Sequence, residues 1–128
     1  MDIYIAIDNK EKEKFITKAE DIKQELEKIN NPVRYIDNVV DLQDTRKGLC
    51  IAFTNDLEYI KKLYNDKKLE IICITNRLEG KYILDILEYV KDIYFMSIGL
   101  REIVMRIQGF INTHNNRKKC IRGELSNV

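Results

Sequence analysis

The stretch Asp92-Ile-Tyr-Phe-Met-Ser-Ile-Gly-Leu-Arg-Glu-Ile-Val-Met-Arg-Ile-Gln-Gly-Phe-Ile111 decides the fold. Ile93 to Met96 is a short apolar run between the charged Asp92 and the turn residues Ser97 to Gly99, which predicts a buried strand ending in a turn. From Arg101 the period changes. Ile103, Val104, Ile107, Phe110 and Ile111 recur at helical spacing and form one apolar stripe, with Arg101, Glu102, Arg106 and Gln108 mostly on the other side. A strand feeding an amphipathic helix is a usual last unit of an α/β sandwich.

The same alternation runs through the rest of the chain. Ile3 to Ile7 is a continuous apolar run, as expected of a strand buried on both faces, and it ends at Asp8-Asn9. Lys10 to Ile29 predicts a helix with Phe15, Ala19, Ile22, Leu26 and Ile29 inward, stopped by Asn30-Asn31-Pro32. Val33 to Ile36 is a short strand, followed by a weak helix or turn through Val39, Val40 and Leu42. Leu49 to Phe53 and Ile71 to Ile74 are further buried strands. Leu57 to Tyr64 and Gly80 to Val90 are helices, the second with Ile83, Ile86, Leu87 and Val90 inward. Five strands alternating with five helices predict a doubly wound parallel sheet, flavodoxin-like, of order 2-1-3-4-5, with ligands at the carboxyl ends of the strands.

At 128 residues the chain is one domain, and 45% hydrophobic with 34% charged residues excludes a disordered polymer. The apolar runs are far too short to span a membrane and no secretory signal is visible, so a cytoplasmic protein is expected. A net charge of +1 argues neither for nor against a polyanionic partner. Cys50 and Cys73 lie in apolar runs, as core residues do, and the spacing of the three cysteines suits neither a disulfide framework nor zinc. His114, the single histidine, stands in a polar stretch and is expected at the surface. Residues 1–112 form the predicted domain, and 113–128 a polar, basic linker containing Arg117-Lys-Lys119.

Three segments resemble the receiver domain of bacterial response regulators, and most closely its OmpR/PhoB subfamily. Asp-Ile-Tyr-Phe followed by Arg-Glu-Ile-Val-Met-Arg-Ile is similar to that subfamily's last strand and helix. Ile71-Ile-Cys-Ile-Thr-Asn-Arg77 resembles a fourth strand ending in Thr-Ala-Arg, and Leu87-Glu-Tyr-Val-Lys-Asp-Ile-Tyr94 resembles Leu-Glu-Xaa-Gly-Ala-Asp-Asp-Tyr. The resemblance implies a CheY-like fold in which strand ends hold an acidic pair for magnesium, a phosphoacceptor aspartate, a hydroxyl and a lysine. Acids would hold the hard cation, and metal and lysine would neutralise the transferring phosphoryl group. On this chain those positions are Asp8 and Asn9, Thr54 or Asn55, Thr75, and Ser97. Thr75 and Tyr94 match the switch pair. The acceptor aspartate, the lysine and one acid are absent, and Asp56, the nearest carboxylate, reads as a helix cap.

The expectation is therefore a pseudo-receiver. It would have no catalytic residues, metal or cofactor, and would act without phosphorylation inside a transcription factor whose DNA-binding domain is missing from this chain. The heptapeptide Cys120-Ile-Arg-Gly-Glu-Leu-Ser126 resembles the start of such an effector's first strand. The subfamily's dimer face implies a homodimer through Lys81, Asp85, Glu88, Asp92, Arg101, Glu102 and Arg106, where opposite charges suit a two-fold interface. Two alternatives remain open. One is a flavodoxin-like domain or enzyme binding a small molecule at the strand ends. The other is a receiver still phosphorylated on Asp8 or Asp56.

Overall fold

The computed structural model describes residues 2–36, 47–65 and 69–121, with 116–121 described as backbone only. The helix or turn expected around Val39, Val40 and Leu42 lies outside the described residues. Five strands are present: β1 (Asp2–Ile7), β2 (Val33–Ile36), β3 (Gly48–Phe53), β4 (Leu69–Thr75) and β5 (Asp92–Phe95). All pairings are parallel and the order is β2-β1-β3-β4-β5. The helices are α1 (Lys12–Lys28), preceded by a 3-10 turn at Asn9–Glu11, α2 (Leu57–Tyr64), α3 (Gly80–Ile86) and α4 (Leu100–Ile121).

The continuous apolar runs arise because the inner strands are covered on both sides. Ile3, Ile5, Leu49, Ile51, Phe53, Ile72 and Ile74 meet α1 and α4 on one face. The alternate residues Tyr4, Ala6, Cys50, Ala52, Ile71 and Cys73 meet α2 and α3 on the other. Phe15 of α1 reaches Phe53 with ring centroids 6.0 Å apart. At Gly48, paired with Asp2, a Cβ would collide with the Asp2 carbonyl oxygen, so this strand start requires glycine.

Helix ends and phases differ from the sequence expectation in three places. Ile29 is not inward: α1 stops at Lys28 and Ile29 is its exposed C-cap. Asn30 then takes φ 68°, and its N–H and that of Asn31 return to the Glu27 and Leu26 carbonyls in a Schellman motif. In α3 the buried pair is Tyr82 and Ile86, the helix ends at Ile86, and Leu87 points outward. Ile83, Ile86 and Val90 pack inward as expected, and Tyr82, which finds a polar partner inside, joins them in place of Leu87. Finally α4 does not end at Ile111. Its helix continues to Ile121, through the first two residues of the stretch expected to open an effector strand. Residues 122–128 lie outside the described ones.

Candidate functional site

Hydrogen bonds continue the parallel ladder one residue past the strands. The Asp8 N–H donates to the Phe53 carbonyl (3.0 Å), that of Thr54 to Ile74 (3.1 Å), and that of Met96 to Thr75 (3.0 Å). Asp8, Thr54 and Thr75 therefore stand in a row across the carboxyl edge, and all are buried. The row is closed on itself. The Thr54 hydroxyl donates to Asp8 Oδ2 at 2.8 Å, and the Lys10 N–H to Asp8 Oδ1 at 3.1 Å, so both carboxylate oxygens are taken. Thr54 Oγ1 in turn accepts the Asp56 N–H at 2.9 Å.

Asn55 forms the second half of the network. Its Oδ1 accepts from the Thr75 hydroxyl (2.7 Å) and from the Asn76 N–H (2.8 Å), while its Nδ2 donates to Glu11 Oε2 (2.6 Å). An amide suits this place because it must donate on one side and accept on the other, which a carboxylate cannot do. Asp56 caps α2 through the Glu58 N–H at 3.0 Å, with Lys10 Nζ 3.5 Å from its other oxygen. Asn9, in the 3-10 turn, is exposed.

Thr75 and Tyr94, the two expected switch residues, stand on opposite faces of the sheet. In the β4–β5 register Tyr94 lies beside Ile74, and both face α1 and α4. Thr75 lies beside Phe95, and alternation puts these two on the opposite face. The phenol that reaches the row comes from α3 instead. Tyr82 Oη donates to the Thr54 carbonyl at 3.3 Å, beside the Thr75 hydroxyl, whose own proton goes to Asn55. Burial pushes the Tyr82 hydroxyl well above its ordinary pKa and keeps it a donor. Arg77 covers its ring at 4.4 Å, donates from its backbone to Thr75 Oγ1 and from its guanidinium to the Asn55 carbonyl. Tyr94 is held elsewhere, buried under Arg106 and hydrogen-bonded to Asp92.

Sequence reasoning missed Glu11, Lys18 and Tyr82. Asp8-Xaa-Xaa-Glu11 has the spacing of a capping box and could have flagged Glu11. Nothing local marks Lys18, whose ammonium crosses from α1 to the loop after β5 and donates to the carbonyls of Ile98 (2.6 Å) and Met96 (3.1 Å). That loop carries Ser97 where the resemblance looked for a lysine, and Lys18 ties down its backbone.

The donor set does not fit a magnesium site of the receiver kind. Each oxygen of Asp8 already accepts a hydrogen bond, Glu11 is bound to Asn55, and among the described residues no three acidic, His or Cys side chains converge on a point. Among the described residues no helix is long and apolar enough to cross a membrane.

The proposed interface residues lie around the β5 edge. Lys81, Glu88, Arg101, Glu102 and Arg106 are exposed, and Asp85 and Asp92 half-buried. Glu102 and Arg106 are already paired along α4 at 3.0 Å, and Asp92 Oδ1 accepts the Ile93 N–H. Leu84 and Leu87 stand exposed among the α3 charges.

No protein-family profile and no curated protein matches the sequence. Solved structures do. A CheY-like response regulator receiver domain protein from Methanospirillum hungatei superposes with TM-score 0.71 at 12% identity, covering 91% of this chain and 98% of that one. The fold is that of a receiver domain. The signal receiver domain of a modulated diguanylate cyclase from Desulfovibrio desulfuricans, described as an example of alternate folding, gives TM-score 0.66 at 15% identity over 90% of this receiver-like chain and 97% of its own. A putative pilus assembly-related protein from Burkholderia pseudomallei gives 0.55 at 14% identity, covering 84% and 87%.

Proposed function

We propose that this chain is a receiver-type signalling domain that works without phosphoryl transfer and is not an enzyme. It would act in the cytoplasm by bringing two copies together through α3, β5 and α4, as the regulatory part of an OmpR/PhoB-like transcription factor. The observation that carries the reading is the closed edge. Asp8 is consumed by Thr54, Asn55 by Thr75 and Glu11, and neither 54 nor 55 offers a carboxylate. A phosphoryl group needs an acceptor, a cation and room; the network supplies hydrogen bonds in their place. Without a switch, assembly is constitutive or set by a partner.

The α3 leucines and flanking charges support the dimer, since an apolar centre with a polar rim is the usual anatomy of an interface. The likeness to a putative pilus assembly-related protein favours a second reading for the output: the same domain could serve an assembly protein with no DNA-binding partner.

The test is incubation with Mg²⁺ and either acetyl phosphate or beryllofluoride, following intact mass and light scattering together. The expected result is no adduct and an unchanged oligomeric state. An adduct on Asp8 or Asp56 with a shift towards dimer would overturn the reading.

A further inference from the structure

On the far side of the sheet from the closed edge, a cavity of about 360 Å³ opens between the starts of β4 and β5 and the later turns of α4. Glu70, the second residue of β4, directs Oε2 into protein, where it is buried and accepts no hydrogen bond from the described residues. His114 of α4 brings Nδ1 to 3.8 Å from that same oxygen, and its side chain is only 20% exposed. A carboxylate oxygen shut away from water wants a donor. Neutral imidazole offers one N–H, whereas the protonated ring donates from both nitrogens, Nδ1 included, and carries the matching charge.

Among the described residues, further charged groups line the cavity around the imidazole from β5, α4 and the end of α3. Lys91 and Asp92 lie at the start of β5 with Tyr94 beyond them, Arg106 lies on α4 itself, and Glu88 lines the adjoining cleft behind Glu70. Two of them are spoken for: Asp92 by Tyr94, and Arg106 by Glu102. Lys91 opposes a positive imidazole, and Glu70 favours it from 3.8 Å.

The geometry points to a pH-sensitive tie, in which protonation of His114 fastens the later turns of α4 to Glu70 at the start of β4. The sign follows from linkage. The tie gains from a proton, so its contribution is present below the ordinary imidazole value of about 6.5 and is lost as pH rises through the folded-state value. The helix beyond Ile111 is the element released. This device is independent of the strand-end reading.

Amide hydrogen exchange on the full chain tests it, comparing pH 5.5 with pH 8 after correction for intrinsic rates and using β3 amides as internal reference. The expected result is protection of residues 110–115 at least threefold higher at pH 5.5, with that difference absent in both Glu70→Gln and His114→Gln. Both substitutions are of partly exposed side chains and leave the core intact. Equal protection at the two pH values in the unmodified protein would overturn the tie, as would a pH difference that survives in Glu70→Gln.

Discussion

Asp8 is the residue on which the strand ends depend most. Buried and accepting from Thr54 and Lys10, it holds β1 to β3 beyond the last ladder bond. Hydrogen bonds to a charged group contribute about 1.5–3 kcal/mol, so Asp8→Ala should lower unfolding free energy by roughly that amount in urea titration. The same substitution would matter far less if Asp8 were an idle metal ligand facing water. The two buried thiols give a second residue-scale expectation. Burial pushes both Cys50 and Cys73 up to about 12. In a Cys120→Ser background, neither should react with a thiol reagent at pH 8 until the protein unfolds. Because these thiols hold their protons in the folded state and release them in the unfolded one, their contribution to stability is complete below about pH 8.5 and declines as pH rises towards 12. That Cys50 and Cys73 are core residues was legible from their apolar neighbours. That Thr75 would meet Tyr82 was not, since nothing local says which of several aromatic residues turns towards a strand end.

Elements were legible where burial is symmetrical. A strand covered on both faces leaves an unbroken apolar run, and each of the three such runs, Ile3 to Ile7, Leu49 to Phe53 and Ile71 to Ile74, lies in one. Helices were legible in existence and less so in phase and length. On the inward face of α3 the sequence misplaces only Leu87, which is as apolar as Ile83, Ile86 and Val90, and overlooks Tyr82. The end of α4 was set too early because the apolar stripe fades after Ile111, yet backbone hydrogen bonding carries the helix to Ile121. Two substitutions probe these elements. Gly109 lies mid-helix, and a Cβ added there would meet nothing within 4 Å, so Gly109→Ala should stabilise by about 0.5–1 kcal/mol. Asn30 closes α1 with φ 68°, so Asn30→Gly should be neutral or stabilising, whereas Asn30→Val should cost more than about 1 kcal/mol. Thermal melts at fixed pH distinguish both.

At the scale of the molecule, alternation implies the parallel sheet and the usual form of a doubly wound sheet of this size its order, while the chemistry of its edge depends on contacts between residues far apart in the chain, such as Thr54 with Asp8. If two copies join through α3, β5 and α4, light scattering at high micromolar concentration should return twice 15.2 kDa, and Leu84→Glu with Leu87→Glu should return the monomer without loss of melting temperature. A monomer from the unmodified chain would sink the proposed interface. The strand order carries a consequence for synthesis. β1 is flanked by β2 and β3, and every later strand is laid against the outermost one before it, β4 on β3 and β5 on β4. A chain emerging from the ribosome can therefore, from β3 onward, lay down its sheet by accretion at one growing edge, never having to open a pairing already made. Until the four residues of β5 arrive, that edge is β4, an apolar strand with unpaired backbone. A translational pause before Asp92 would leave the nascent domain at its most adhesive.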